Sequence, residues 1–333
     1  MVERIRITDV SPRDGLQNEP GAISTADKLK LVELLCVSGV DEVEVTSFVS
    51  ARWVPQLGDA AELLRGIASV GLLSPAREDR GGGDSAGWRP VLSALVPNDK
   101  GMDAAAALIG EGVPLGKLSV FTAASEAFCQ RNINADIAQS LERFVPVIAR
   151  CKALGVPVRG YVSCVIACPF EGPIAPAQVA SVCERLAALG VDEIDLGDTI
   201  AAGTPEMTSA MLSAVVGALG PRWLTPLRLT LHLHDTFGQA SACVRAALAA
   251  GVRSFDSSVA GLGGCPYASV PARRAPGNIA TALLVRTLRE EGFAPGLSAD
   301  VDDGALEEAG VFAAGVVARA RVAASQSSAG GTS

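Results

Sequence analysis

The feature that most constrains the fold is a regular alternation of short β-branched segments with longer segments of helical spacing. The 333-residue chain has eight short segments, at 4–10, 41–47, 91–96, 117–123, 158–165, 192–198, 227–235 and 254–261. Between them lie candidate amphipathic helices, which include 24–38, 135–154, 176–189, 205–219 and 237–250. Strands that alternate with helices form parallel βαβ units, and eight units close into a (β/α)8 TIM barrel. The pattern therefore predicts an α/β fold of this type.

An open doubly wound sheet is the competing architecture, but no G-x-G-x-x-G motif follows the first strand. Several helical segments end in glycine directly before the next strand, as helices commonly do. We expect one TIM-barrel catalytic domain over residues 1–323, in which 298–323 form an extra C-terminal helix. Residues 76–89 have the composition of a flexible loop, and the low-complexity stretch 324–333 predicts a disordered tail.

Composition excludes several classes of protein. Apolar residues make up 49% of the chain, enough for a large core, and the net charge of -8 argues against a nucleic-acid partner. No run of about 18 apolar residues predicts a membrane span, and the first residues lack an apolar leader, so we expect a cytoplasmic protein. None of the 8 cysteines forms a C-x-x-C pair, which argues against a zinc ribbon.

Polar side chains follow several of the predicted strands at their carboxyl ends. Arg13 and Asp14 follow the first strand, Glu44 lies in the last part of the second, and Tyr161 lies in the fifth. Asp198 closes the sixth. Because a TIM barrel builds its active site at this end of its strands, these residues form a candidate catalytic face.

The chain has only 2 histidines, and both belong to the stretch "LTLHLHD" as His232 and His234. Residues two apart in a strand project to the same face, so the two imidazoles can chelate one metal ion. A hydrogen-bonded pair of core histidines is the alternative interpretation. With Asp14 and Arg13 nearby, the pattern favours a metal that holds an anionic, oxygen-rich substrate. The spacing does not choose among Mg²⁺, Mn²⁺ and Zn²⁺.

A further motif, "GLGGCPYA", follows the eighth strand and contains Cys265. Its glycines fit a mobile loop that carries a thiol to the mouth of the barrel. An anion-binding loop and a glycine-rich turn with an incidental cysteine are the alternatives.

Seven blocks, in order along the chain, together resemble the hydroxymethylglutaryl-CoA lyase family. They are "SPRDGLQNE", "VEVTSFVS", "RGYVSCVIACPFEG", "LGDTI", "HLHDTFGQA", "SSVAGLGGCPYA" and "GNIAT". The resemblance extends from about residue 4 to about residue 320. This family belongs to a group of barrel metal-dependent enzymes that also contains isopropylmalate and homocitrate synthases.

The resemblance implies a role for each matching residue. It implies four metal ligands: Asp14, His232, His234 and Asn278. It implies Mg²⁺ or Mn²⁺ as the ion, with Zn²⁺ less favoured, and no organic cofactor beyond the CoA of the substrate. Arg13 would bind the thioester carbonyl, and Cys265 would deliver a proton or gate the site. Glu44 and Asp198 would belong to the polar shell, and Tyr161 and Thr199 would line the acyl pocket.

The implied substrate is 3-hydroxy-3-methylglutaryl-CoA or a close 3-alkyl homologue, cleaved to acetyl-CoA and acetoacetate or its homologue. Asp14 and His232 are both candidates for the base. The resemblance also implies a homodimer, by analogy with related barrels, and a setting such as leucine degradation. A condensing synthase of the same barrel group and a non-catalytic acyl-CoA-binding barrel are the alternatives.

Three departures from the family pattern leave the acyl group open. Residues 269–276 make the segment before Asn278 longer than expected and add Arg273 and Arg274. Ala282 stands where a Glu is typical, and Asp195 stands where a Ser is expected. If Asp195 points into the barrel, its charge would repel a substrate carboxylate unless a cation offsets it.

Overall fold

The eight predicted strands are all present in the computed structural model, which describes residues 2–71, 89–224, 227–264 and 277–329, without the side chains of 327–329. In chain order, the strands of the described residues are β1 Arg4–Asp9, β2 Glu42–Ser47, β3 Val91–Leu95, β4 Lys117–Ala123, β5 Val158–Ser163, β6 Ala167–Cys168, β7 Gly172–Pro173, β8 Glu193–Asp198, β9 Leu229–Leu233, β10 Ser254–Ser257 and β11 Ala294–Pro295. The sequence patterns do not indicate the short pair β6 and β7 or strand β11.

The sheet is closed, because β10 pairs with both β9 and β1. All neighbours in the ring of β1–β5, β8, β9 and β10 run parallel, and their carboxyl ends therefore meet at one face. This closure confirms the (β/α)8 barrel and excludes the open doubly wound sheet. Strand β11 adds to the amino-terminal end of β1, where Arg4 is the partner of Ala294.

The helices of the described residues are α1 Thr25–Val37, α2 Ala60–Ser69, α3 Asp99–Gly110, α4 Glu126–Ile133, α5 Ile137–Ala153, α6 Pro176–Leu189, α7 Pro205–Leu219, α8 Ala240–Ala249, α9 Thr281–Glu290 and α10 Asp303–Ala329. The structure confirms α1, α5, α6, α7 and α8, which the apolar spacing predicted. Within the described residues, no helix combines the length and apolar composition needed to cross a bilayer.

Local sequence explains where these helices begin and end. Ser24 caps α1 by accepting a hydrogen bond from the Asp27 amide, and Asp136 with Gln139 forms a capping box on α5. Gly190 ends α6 in the left-handed conformation at φ 88°, which confirms its predicted role as a helix stop.

Helix α10 continues beyond residue 323, where the sequence predicted the end of the catalytic domain. It extends to Ala329, and the rest of the predicted tail lies outside the described residues. The stretch is rich in alanine, and alanine has the highest helix propensity, so the helix can extend past its last packed turn. The predicted loop at 76–89 falls almost entirely within 72–88, which lie outside the described residues.

Charged side chains fill the interior of the barrel below the catalytic face. Arg159 on β5 is 1% exposed and pairs with Glu193 at 2.8 Å, Asp256 at 3.1 Å and Glu42 at 3.2 Å. Lys117 pairs with the same Glu42 and Glu193. These cations lower the pKa values of the Glu42 and Glu193 carboxyls although burial acts to raise them. One guanidinium thus connects three strands through their carboxylates.

Replacement of Arg159 by Met is expected to lower the free energy of unfolding by about 3–5 kcal/mol, because the buried carboxylates lose their cation. Urea denaturation followed by circular dichroism measures this difference. Arg150→Ala is the control: that arginine pairs with Asp99 and Asp103 at the surface, so its loss should cost less than about 1 kcal/mol. Equal stability of the two variants would contradict a stabilising role for the interior pairs.

Candidate metal and catalytic site

The turn that follows β1 carries the first two site residues. Residues Ser11–Gly15 form a single wide helical turn, closed by a hydrogen bond from the Gly15 amide to the Val10 carbonyl at 3.1 Å. Pro12 suits the first turn of a helix because its missing N–H needs no partner there. This turn brings Arg13 and Asp14 to the carboxyl ends of the strands.

The two histidines of β9 face the same side, as their spacing predicts, with ring centroids 5.2 Å apart. The Nδ1 atom of His232 lies 3.2 Å from Oδ2 of Asp256, and Nδ1 of His234 lies 2.9 Å from the backbone oxygen of Asp198. Partners on Nδ1 orient each ring and leave Nε2 as the ligand atom, an arrangement common around metal-binding histidines.

Four side chains converge at one point on the catalytic face. One potential ligand atom from each of Asp14, His232 and His234 lies within 4.8 Å of the others. Asn278 joins them, because its Nδ2 donates to Oδ2 of Asp14 at 2.8 Å and its backbone bridges that of His234. Oδ1 of Asn278 is buried and has no hydrogen-bond partner in the described part of the chain. An amide oxygen, a carboxylate and two imidazoles suit a divalent ion, and the orphaned oxygen supports that fit.

The electrostatics suit ligands that must be deprotonated. Burial acts to raise the pKa of Asp14, but Arg13 and the two histidines lower it, and the net shift is downward. Burial, together with the neighbouring His232, lowers the pKa of His234 to about 4. Both groups therefore have their metal-binding forms at neutral pH.

Arg13 is held as the cation of the site by two carboxylates. Its Nε donates to Glu44 Oε2 at 2.5 Å and its NH1 donates to Asp14 Oδ1 at 2.8 Å. Glu44 also accepts from the Ser119 hydroxyl, and the Tyr161 hydroxyl lies 3.2 Å from the same carboxylate. The guanidinium stands over the Tyr161 ring at 5.5 Å. Glu44 and Tyr161 thus support Arg13 from below.

Asp198 and Thr199 lie at the end of β8, but their side chains stabilise turns. The Asp198 carboxylate accepts from the amides of Ala202 and Gly203, while its backbone oxygen faces His234. Thr199 Oγ1 accepts from the Cys164 amide at 2.8 Å. Their roles in the polar shell and acyl pocket stay predictions.

The sequence patterns missed Asp256 and Gln17. Asp256 on β10 is fully buried and orients His232, and Gln17 donates from Nε2 to Asp14 Oδ1 at 2.9 Å. Asp256 could have been found from the alternation of side chains along its strand, since Phe255 and Asp256 must face opposite sides of the sheet. Gln17 depends on the shape of the turn, for which the sequence has no comparable signal.

The three departures from the expected pattern have different positions. Asp195 points into the barrel, is fully buried, and lies 3.5 Å from the NH1 atom of Arg159, so a cation does accompany it. Burial and the neighbouring Asp256 raise its pKa well above the usual value. Ala282 lies exposed in the first turn of α9. Cys265, Arg273 and Arg274 lie outside the described residues, and their predicted roles are untested.

Comparison with known proteins gives consistent results across the chain. A model of the HMGL-like family matches residues 4–309. The 3-hydroxy-3-isohexenylglutaryl-CoA/hydroxymethylglutaryl-CoA lyase of Pseudomonas aeruginosa is 46% identical and covers 84% of this chain, with 83% of that protein covered. The mitochondrial hydroxymethylglutaryl-CoA lyase of Bos taurus is 44% identical, over 93% of this chain and 85% of that protein. The crystal structure of hydroxymethylglutaryl-CoA lyase from Pseudomonas aeruginosa superposes with a TM-score of 0.80 at 43% identity, over 95% and 94% of the two chains.

Gly263→Ala is expected to weaken Mn²⁺ binding about tenfold or more. Gly263 has a φ of 102°, and a Cβ atom there would lie 2.7 Å from Asn278 Nδ2 and 3.1 Å from Asp14 Oδ2. Titration calorimetry with Mn²⁺ measures the change. Gly217→Ala in α7 is the matched control, because a Cβ there meets no atom of the described residues within 4 Å. Equal Mn²⁺ affinity of both variants would show that Gly263 does not support the ligands.

Proposed function

The chain belongs to the HMGL-like family and is a carbon–carbon lyase of the hydroxymethylglutaryl-CoA lyase type, and on this basis we propose that it cleaves 3-hydroxy-3-methylglutaryl-CoA to acetyl-CoA and acetoacetate. The observation that carries the proposal is the convergence of Asp14, His232 and His234 with the unpartnered Oδ1 of Asn278 beside the Arg13 guanidinium. These groups can bind an oxygen-rich anionic substrate through one divalent ion and one fixed cation.

We propose Asp14, His232, His234 and Asn278 as the residues that hold Mg²⁺ or Mn²⁺. A divalent ion in such a site supplies positive charge that lowers the pKa of a bound hydroxyl group. The ligand set of two oxygens and two imidazoles, with no thiolate, suits a divalent ion, and the preference for Mg²⁺ or Mn²⁺ over Zn²⁺ rests on the family resemblance.

Cleavage breaks the bond between C2 and C3 of the acyl chain in a retro-Claisen reaction. The tertiary hydroxyl gives up its proton and its carbon becomes the ketone of acetoacetate. The electron pair of the broken bond passes to the thioester fragment, which becomes an enolate and is then protonated on carbon to give acetyl-CoA. Arg13 is the preplaced cation for the enolate oxygen, because Glu44 and Asp14 hold its guanidinium before substrate arrives.

Asp14 and His232 are the two predicted candidates for the base. The pKa of Asp14 is lowered, which makes its carboxylate a weaker proton acceptor. We therefore favour His232, whose Nδ1 is held by Asp256 and whose Nε2 faces the site. Nε2 of His232 can serve as a ligand or as the proton acceptor but not as both, so with His232 as the base the residues that would hold the ion are Asp14, His234 and Asn278. The acid for the enolate carbon, predicted as Cys265, lies outside the described residues.

The rim of the catalytic face supports an acyl-CoA substrate. Arg52 follows β2, Lys100 lies in the first turn of α3, and Arg131 lies in α4 after β4, so all three stand on the loop side that bears the site. The described part of the chain contains no carboxylate paired with them, whereas many other surface arginines are paired, such as Arg65 with Glu111. Cations without a carboxylate partner, of which Arg131 stacks on the Phe170 ring at 4.3 Å, suit the phosphates of CoA.

The same proposal includes a homodimer, a cytoplasmic location and a setting such as leucine degradation, all of which rest on the family resemblance. The Pseudomonas aeruginosa relative whose name includes an isohexenyl substrate makes a longer 3-alkyl chain a second acyl group to test.

Incubation of the purified protein with 3-hydroxy-3-methylglutaryl-CoA and Mg²⁺ is expected to release acetyl-CoA and acetoacetate in equal amounts. EDTA should stop the reaction and added Mn²⁺ should restore it, because the ligand set needs a divalent ion. Enzymatic determination of both products measures the outcome. Absence of cleavage with every divalent metal would refute the proposal for this substrate.

His234→Ala is the control variant, expected to lose Mn²⁺ binding and cleavage while its circular dichroism spectrum stays unchanged. Incubation with acetyl-CoA and 2-oxo acids tests the condensing synthase, and incubation with a 3-isohexenyl homologue tests the longer chain. Binding of acyl-CoA without any turnover would favour the non-catalytic barrel.

The double variant Arg52→Ala/Arg131→Ala is expected to raise the KM for the CoA substrate while kcat changes little, because these cations would contact only the nucleotide end. Steady-state kinetics at low and high salt measure this, and the effect should shrink as salt screens the charges. Arg185→Ala on α6, away from the rim, is the matched control. An unchanged KM in the double variant would exclude a role for these two side chains in binding.

A further inference from the structure

Asp9, the last residue of β1, is a buried carboxylate that the proposed reaction does not use. It is fully buried, and its surroundings in the described residues supply hydrogen bonds but no cation. Burial raises its pKa to about 6. Burial of a carboxylate without a cation lowers the free energy of unfolding unless hydrogen bonds compensate for the lost solvation.

Three donors from three parts of the chain point at this carboxylate. The Ser11 amide donates to Oδ1 at 2.9 Å, and the Val259 amide and the Thr281 hydroxyl donate to Oδ2 at 3.1 Å and 2.7 Å. The Ser11 hydroxyl in turn accepts from the Val259 amide at 2.8 Å and contacts the Ser258 hydroxyl at 3.0 Å. We call these residues, Asp9, Ser11, Ser258, Val259 and Thr281, the Asp9 clasp.

The clasp joins the two segments that carry the oxygen ligands. Ser11 begins the turn that contains Asp14. Ser258 and Thr281 flank the Asn278 segment, because the Ser258 amide donates to the Ile279 carbonyl at 3.1 Å and the Thr281 amide donates to the Ser258 carbonyl at 3.2 Å. On the other side, the Ile279 amide donates to the Leu233 carbonyl at 2.9 Å. The Asn278 segment is thus held between strand β9 and the clasp.

Only a carboxylate satisfies this arrangement. Donors approach both oxygens, so an asparagine in the same place would set its NH₂ group against an amide or a hydroxyl that also donates. A neutral apolar side chain would leave the Ser11 amide and the Thr281 hydroxyl unpaired in the interior, and the Val259 amide would keep only the Ser11 hydroxyl as acceptor.

We propose that Asp9 is a positioning residue that sets the distance between Asp14 and Asn278 through Ser11, Val259 and Thr281, and so determines how tightly the site holds its divalent ion. This inference rests on the proposed metal site. The direct contact between the two ligands, from Asn278 Nδ2 to Asp14 Oδ2 at 2.8 Å, is the part of the site that the clasp would control.

The test uses the full-length protein and Mn²⁺ as the probe, with free Mn²⁺ followed by electron paramagnetic resonance. Thr281→Val removes one donor and keeps the volume, and Thr281→Ser keeps the hydroxyl as its matched control. Thr281→Val and Asp9→Asn are expected to raise the Kd for Mn²⁺ about tenfold, while Thr281→Ser stays within about twofold of the wild type.

Activity supplies a second measurement that a merely structural role would not change. In Thr281→Val, kcat at low Mn²⁺ should fall and then recover as Mn²⁺ is raised, while the KM for the CoA substrate stays constant. Thermal unfolding of each variant, measured in parallel, shows whether the protein is folded at the assay temperature. If Asp9→Asn does not fold, Thr281→Val with its serine control still decides the question.

Two outcomes would overturn the inference in distinguishable ways. In the first, the wild type and Thr281→Val bind Mn²⁺ equally well and the variant only unfolds at a lower temperature. The clasp then contributes to stability alone, and the proposed function stands. If the wild type binds no Mn²⁺ and cleaves no substrate with any divalent metal, the metal site itself is wrong, and the proposed function and the clasp's role fail together.

Discussion

The interior of the barrel depends on the ion pairs that the buried Arg159 guanidinium forms. It pairs with Glu42 on β2, Glu193 on β8 and Asp256 on β10, and so links strands on different sides of the ring. Removal of several charges from water costs free energy that good geometry must offset. This network also fixes the orientation of a site residue, because the Asp256 carboxylate that pairs with Arg159 is the partner of His232 Nδ1.

The catalytic face is therefore built in layers, each fixed by the one below it. Arg159 holds Asp256, Asp256 orients His232, and His232 lies beside Asp14 and His234 at the mouth. A parallel series runs through Glu44, whose carboxylate holds the Arg13 guanidinium in place. Groups that are fixed before the substrate arrives need no reorganisation during the reaction, which is the main source of electrostatic catalysis.

Much of the fold could be predicted from sequence, and the reasons are local. β-Branched runs of strand length identify the barrel strands. Gly190 marks the end of α6 in the sequence because glycine readily adopts the left-handed conformation that the structure shows there. Predictions were weaker where tertiary contacts decide the outcome. Asp198 lies at the strand end as expected, yet its carboxylate turns toward the amides of Ala202 and Gly203. The low-complexity composition of 324–333 predicted a disordered tail, but α10 extends to Ala329 because its alanine-rich sequence has high helix propensity.

The sequence by itself determined the alternation of strands and helices and the placement of His232 and His234 on one face, because both follow from backbone periodicity. Only the tertiary structure decided which distant residues complete the site. Asn278 meets Asp14 through closure of the ring between β10 and β1, and Arg159 finds its three carboxylates only inside the closed barrel. The physical reason is that periodicity fixes the direction of a side chain relative to its own strand, whereas the partner it meets depends on how the whole sheet closes.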